Sequence, residues 1–332
     1  MAIARRTPPI GLLRLGSWTA LVHADSHAYG ETLGLIFKGC FRPAGGARPA
    51  LQATIDLQYR DPAGRDAPAP TLETPVLRCR AAGTVWEMAS NVLAAYLFAA
   101  ETPPSIVIVV NPAPEVRAYV TFHLTVALHK LLLLLGRLYV HAGAVCFRES
   151  VSVFVGDKGA GKSTLCLWLG GAGGTVLADD HVLLTRASDG VLASGCEETA
   201  RVTAATERFL FPAPLPVPAV DYGGLVKKEF PIADRFRSAP HRDYRVDRLL
   251  FSRVGHRLAV TPLTRQAALL SLVRETAWCH RFVDARDYAA YLRYLAGLVD
   301  AVDVFDLELS PDLSELARLS GLLEGVHGPT HG

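Results

Sequence analysis

Eight consecutive residues, Gly156-Asp157-Lys158-Gly159-Ala160-Gly161-Lys162-Ser163, follow the spacing GxxxxGK[ST], and the spacing has a mechanical reason. The glycines let the backbone turn tightly, so that successive N–H groups face inward at phosphate oxygens. A helix opening directly after them adds the positive end of its dipole. In such a loop Lys162 reaches the β- and γ-phosphates of ATP and the Ser163 hydroxyl ligates Mg²⁺. Gly156 through Ser163, with the adjoining Thr164, form the expected nucleotide-binding set.

A second constellation follows closely. Asp179 and Asp180, in the sequence VLADDH, end the strand expected over Thr175 to Ala178. Strand ends in an α/β sheet meet along one edge, which brings these carboxylates near the phosphates. One can help hold Mg²⁺ while the other takes the proton of an attacking hydroxyl. Which aspartate does which stays open. The competing account is an Asp-Asp pair capping backbone N–H groups at a strand-to-turn boundary, and the phosphate loop tips the balance toward metal and base. The pair also comes early, after one helix and one strand, whereas in many large ATPases the corresponding acid lies farther along.

These groups need elements to position them. Leu138–Phe147 and Val151–Val155 read as a hairpin around Arg148-Glu149-Ser150, feeding the loop. A helix over Lys162–Leu169, the strand at Thr175 and a further β signal over His181–Thr185 continue an α/β nucleotide fold. Before this, from Gly11 to about Val110, short β-rich pieces (Ser17–Ala24, Leu33–Phe41, Leu51–Arg60, Ser105–Val110) alternate with Pro/Gly clusters, and a joining helix starts near Glu115. After it, Phe211–Val220 is a proline-rich surface excursion. Strands are expected at Leu249–Phe251, Arg257–Val260 and Val302–Leu307, and helices at Thr264–Glu275, Ala285–Leu298 and Asp312–Leu323. The expected division is a β-rich N-terminal module over 1–112, an α/β phosphate-loop domain with its joining helix over 113–324, and a tail over 325–332.

Composition narrows the class. Half of the 332 residues are hydrophobic and 20% are charged, enough apolar material for a sizeable core. A formal net charge of +2 is too mild to point to nucleic acid. Arg117, His123, His129 and Lys130 interrupt the apolar stretch Val116–Leu135, so no membrane span is expected. The six cysteines (Cys40, Cys79, Cys146, Cys166, Cys196, Cys279) lack metal-ligand spacing and read as reduced thiols of a cytoplasmic protein. Arg235, Arg237, His241, Arg242, Arg245 and Arg248, interleaved with Asp234, Asp243 and Asp247, read as a solvated face. His327 and His331 in the tail take no role.

Taken together, HAGAV, GDKGAGKSTL and ADDHVLL resemble the HPr kinase/phosphorylase superfamily, with the ATP-dependent phosphoenolpyruvate carboxykinases as more distant cousins. The match is strong over Leu138 to Thr185 and weaker to Leu323. The resemblance implies a P-loop kinase fold in which Lys162 and Ser163 serve phosphate and Mg²⁺ while Asp179 and Asp180 supply metal and base functions. It also implies that His141 lies close to the transferred phosphate, and that Arg201, Lys227 and Lys228 stand where relatives carry basic residues facing phosphates. Surface charge is the competing account of those three. Lys158 and Thr164 depart from the serine and glutamate typical of the bifunctional enzymes, so the resemblance is to the superfamily and not to the HPr enzyme itself.

The expected activity is an ATP- and Mg²⁺-dependent transfer of the γ-phosphoryl group to a hydroxyl, with serine in a protein or peptide as the expected acceptor. A small-molecule acceptor such as free serine or a sugar, and a non-catalytic ATP sensor, are the alternatives. Related enzymes assemble into oligomers, and a homo-oligomer is compatible with the sequence.

Overall fold

Isoleucine and valine fill Ser105–Val110, which becomes a strand because branched side chains fit the pleated surface of a sheet. The structure, a computed structural model, describes residues 9–24, 41–43, 53–59, 78–82, 85–89, 93–98, 101, 103, 105–110, 125, 128–130, 132–221, 224–276 and 285–325. Most of the strand expected at Leu33–Phe41, the start of the joining helix and nearly all of the tail lie outside these residues. Two compact units emerge, one from Met1–Arg137 with Trp278–Ala290 and one from Leu138–Ala277 with Tyr291–Gly332. The architecture is mixed α/β with several sheets.

In the first unit the strands are β1 (Pro9–Leu15), β2 (Trp18–Ala24), β3 (Phe41–Pro43), β4 (Ala53–Tyr59), β5 (Arg78–Ala82), β6 (Val85–Ala89), β7 (Leu93–Phe98) and β8 (Ser105–Val110). They form one sheet in the order β3-β1-β2-β4-β8-β7-β6-β5. β2, β4 and β8 run parallel to one another and the remaining pairs are antiparallel. Leu13, Leu15, Trp18, Val22, Ile55 and Ile106 are buried on it.

The second unit carries β9 (Arg137–Phe147), β10 (Ser150–Val155), α1 (Lys162–Gly171), β11 (Thr175–Ala178), β12 (His181–Ala187), β13 (Gly190–Gly195), β14 (Thr199–Val202) and α2 (Ala204–Leu210). It continues with β15 (Ala219–Asp221), β16 (Val226–Pro231), β17 (Arg237–Ser238), β18 (Tyr244–Arg245), β19 (Arg248–Val254), β20 (Ala259–Pro262), α3 (Arg265–Thr276), α4 (Ala285–Asp300, which belongs to this unit from Tyr291), β21 (Asp303–Leu309) and α5 (Leu319–Gly325). The main sheet runs β18-β13-β12-β9-β10-β19-β21-β20, with β11 pairing β9 and β17. β10, β19 and β21 are parallel at its centre, and β10 is buried from Val151 to Val155.

The β9–β10 hairpin pairs Phe147 with Ser150. Arg148 and Glu149 between them have φ of 49° and 68°, the left-handed values that a two-residue turn needs to match the strand twist. α1 packs its Leu165, Cys166, Leu167 and Leu169 into a core shared with Val145, Phe154, Leu250, Phe305 and Leu307. Where one helix was expected over Asp312–Leu323, the chain forms a 3-10 turn over Leu313–Arg318 and then α5. The Asp312 carboxylate accepts from the Ser314 N–H, starting the tighter turn in place of a full α-helical one.

A feature without a clear sequence signal is a separate small sheet, ordered β14-β16-β15. Arg201 lies opposite Glu229 and Val202 opposite Lys228. The strand period of two then sends Arg201, Glu229 and Lys227 to one face and Val202, Lys228 and Phe230 to the other. The proline-rich stretch leading into β15 is not merely a surface excursion, because Leu215 is 4% exposed within the core.

Candidate functional site

The turn between β10 and α1 has the conformation that its glycines permit. Gly159 and Gly161 have φ of 91° and 83°, a region closed to most side chains. A Cβ on Gly161 would also meet Leu309 Cδ1 at 2.5 Å. The first hydrogen bond inside the helix runs from Leu165 N–H to Gly161 O, so the amides of Lys162, Ser163 and Thr164 have no helical carbonyl to bond. Lys162, 5% exposed, turns back along the loop and donates from Nζ to Gly156 O (2.5 Å) and Asp157 O (3.0 Å). Burial lowers its pKa, more than the nearby Asp180, Glu275 and Asp179 raise it.

This turn floors a cleft of about 340 Å³. Residues 158–164 line it together with His141, Asp179, Asp180, Arg201, Thr203, Thr206, Leu225 and Lys227. Of the sequence candidates, Gly156 and Asp157 sit at the base of the turn, where their carbonyls receive Lys162. Lys228 is the one that the fold turns elsewhere. Its Nζ donates to Glu207 Oε1 and Leu215 O, both at 2.9 Å, because it lies on the opposite strand face from Lys227.

The two aspartates differ sharply. Asp179 is 2% exposed. Its Oδ2 accepts from the Arg201 N–H at 2.8 Å, and its buried Oδ1 has no hydrogen-bond partner among the described residues. Burial pushes its pKa up to about 6, against the opposing effects of the Arg201 N–H and the Ser163 hydroxyl and with added repulsion from Asp180.

Asp180 has both oxygens engaged. Oδ1 meets His141 Nδ1 at 2.9 Å and Oδ2 meets Arg201 NH1 at 2.6 Å. Burial alone would raise its pKa, yet the His141 hydrogen bond with the charges of His181, His141 and Arg201 holds it well below the usual carboxylate range. Arg201 also bonds Glu229 Oε2 through Nε at 2.9 Å. Burial acts to lower its pKa, but these carboxylates raise it.

Residues with no assigned role in the sequence brace this lining. His181 Nδ1 lies 2.8 Å from Glu197 Oε1, and its ring stacks on Tyr139 at 4.8 Å with planes 13° apart. Desolvation works against its charge, but Glu197 and Asp180 raise its pKa. The Thr164 and Thr206 hydroxyls are 3.0 Å apart, and Thr203 donates to Thr206. Glu229 comes into place only through its register opposite Arg201. Glu197 and Tyr139 carry no sequence signal either, because pairing of distant strands brings them in.

Two sets of groups have the chemistry to hold a cation. His141, Asp180 and His181 place ligand atoms within 4.8 Å of one another, but their Nδ1 atoms already face carboxylates. Asp179 Oδ1 and the Ser163 hydroxyl offer the hard oxygen donors that Mg²⁺ takes, and an unpartnered buried carboxylate oxygen is costly without a cation or proton. The second set fits better.

No protein-family model matches the chain, and none of the curated proteins matches it. Among solved structures it is similar to the Hpr(Ser) kinase/phosphatase from Coxiella burnetii, with a TM-score of 0.29 and 10% identity, covering 56% of this chain and 93% of that one. A score that low bears no weight, and the site has to be read from its own geometry. Elsewhere among the described residues, Cys146, Cys166 and Cys196 form no disulfide, and no helix is long and apolar enough to cross a membrane.

Proposed function

We propose that this chain is an ATP- and Mg²⁺-dependent phosphotransferase that moves the γ-phosphoryl group to a hydroxyl, with serine of a protein or peptide as the favoured acceptor class. The observation that carries the reading is the buried, unpartnered Oδ1 of Asp179, lining the same cleft as a glycine turn and Lys162. In this reading the free amides at the start of α1 cradle phosphate oxygens. Lys162 leaves the two loop carbonyls for the β- and γ-phosphates, and Lys227 adds a second cation from the β16 wall.

Ser163 and Asp179 would hold Mg²⁺, which supplies charge neutralisation on the phosphates when bound. Arg201, clamped between Asp180 and Glu229, keeps a fixed positive charge beside the transferred group. Lys228 acts at a distance, by holding the strap that ends in β15.

Thermal melting in the presence of Mg-ATP tests the binding half. Ligand at a hundred times its dissociation constant adds about 2.7 kcal/mol, and no shift would sink the reading. The transfer half is tested by changing Asp179 and Asp180 together to asparagine. That variant is expected to bind ATP and lose transfer, and unchanged transfer would remove the aspartates from the chemistry.

A further inference from the structure

We infer that Thr203 and Thr206, which stand outside the phosphate loop, hold the Thr164 hydroxyl with its proton turned into the cleft, where it donates to an oxygen of the α-phosphate of the bound nucleotide. This rests on the phosphotransferase reading above and names two positioning residues for it.

The three hydroxyls form a hydrogen-bonded row that runs in one direction. The Thr206 N–H donates to Thr203 Oγ1 at 3.3 Å, and the Thr203 hydroxyl donates in turn to Thr206 Oγ1 at 3.2 Å. Thr206 Oγ1 then lies 3.0 Å from Thr164 Oγ1. A hydroxyl carries a single proton. Thr203 gives its own to Thr206, so the Thr206 proton is the one left for Thr164. Were Thr164 to donate inward instead, the Thr206 proton would have no acceptor among the described residues, at a position only 8% exposed. Stranding a buried donor outweighs the bond gained, and the Thr164 proton therefore points outward.

Its surroundings make that proton a phosphate ligand. Thr164 is half-buried, lines the cleft with Thr203 and Thr206, and follows Ser163 in the first turn of α1. Its Oγ1 has no second hydrogen-bond partner among the described residues. A donor beside the free amides of α1 attracts an anionic oxygen, whereas an acceptor there would repel it. In the reading above Lys162 answers to the β- and γ-phosphates and Ser163 to the cation. The α-phosphate is the one left for Thr164.

The row is anchored at its far end. Thr203 is the residue before α2, with extended backbone, and its oxygen receives the Thr206 amide as a helix cap does. It stands two residues after Arg201, so the segment that brings the guanidinium to the cleft also brings the first of these hydroxyls. Neither Thr203 nor Thr206 touches the nucleotide in this account. Each acts through Thr164.

The test is calorimetric titration of the full chain with ATP in Mg²⁺, beside melting of the ligand-free protein. Thr164→Val removes a hydrogen bond to a charged group and is expected to lose about 10-fold or more in affinity. Thr206→Val keeps the shape but leaves the Thr164 proton undirected, and is expected to lose about 3- to 10-fold, while Thr206→Ser keeps the wild-type affinity. In the Thr164→Val background, Thr206→Val should cost nothing further. Losses that add, or a Thr206→Val protein that binds ATP as well as the wild type or better, would overturn the row and leave the nucleotide reading standing. ATP with sulfur in place of one non-bridging α-oxygen locates the contact whether or not Thr206→Val folds. The wild type should prefer one of the two diastereomers and Thr164→Val should lose that preference, whereas no preference in the wild type, or the same preference in both, would remove the α-phosphate contact. If the wild type does not bind ATP, both readings fall together.

Discussion

Asp179 and Asp180 are adjacent in sequence and opposite in acidity, and the difference comes from what each oxygen touches. Asp180 meets an imidazole and a guanidinium, whereas Asp179 is almost fully buried, with the Arg201 N–H and the Ser163 hydroxyl too little to offset the cost of burying its charge. For Asp179 the folded pKa, near 6, lies above the ordinary 3.8. Its contribution to stability is therefore fully present below about pH 3.8 and lost as pH rises through 6. In metal-free buffer, Asp179→Asn is expected to gain on the wild type between pH 4 and pH 8, by up to about 3 kcal/mol. Paired melts at the two pH values check this, and a gap that does not change with pH would contradict it. Restoring Mg²⁺ at pH 8 should stabilise the wild type and leave the variant unmoved.

At the level of elements, one alternation divides the roles of two adjacent lysines. Lys227 faces the cleft, and Lys228 faces Glu207 and the strap at Leu215. Lys227→Met should weaken ATP affinity, read by titration calorimetry, with the melting temperature of the ligand-free protein kept. Lys228→Met should instead cost about 1–3 kcal/mol, since it strands a buried carboxylate. Glu207 is held below its usual 4.5 by the Lys228 hydrogen bond, with the Leu215 N–H adding to it. That stabilisation is present above pH 4.5 and lost as pH falls below it, so the two proteins should converge in stability in acid. The glycine turn supplies a third element-scale expectation. Gly161→Ala meets both a left-handed φ and the Leu309 side chain, and should cost about 1–3 kcal/mol while abolishing the melting shift with ATP.

Across the whole molecule, two units each build a sheet of their own, and the lining of the cleft comes entirely from the second. The hairpin, the turn and α1 were legible in the sequence because their signals are local: β-branched runs, three glycines and a lysine within eight residues. The bracing behind His141, Asp180 and Arg201 was not legible. It depends on Arg201 finding Glu229 across an antiparallel register, and on Glu197 reaching His181 from the far end of β13. Such pairings leave little trace in a single chain, since isolated charged residues look like surface. The doublet at Lys227-Lys228 read as one basic feature until the strand period separated its members. The break in the helix expected over Asp312–Leu323 was equally hidden, because a 3-10 turn and an α-helical turn share most of their sequence preferences.

The central claim, that this cleft transfers the terminal phosphoryl group of ATP, is tested most directly by incubating the purified chain with γ-labelled ATP and Mg²⁺ and following the label. The label should leave ATP for water or an added serine-bearing acceptor, and Lys162→Met and the Asp179→Asn, Asp180→Asn double variant should both abolish its movement. Label that stays on ATP while the nucleotide stabilises the protein, or label that moves equally well in the double variant, would contradict the account.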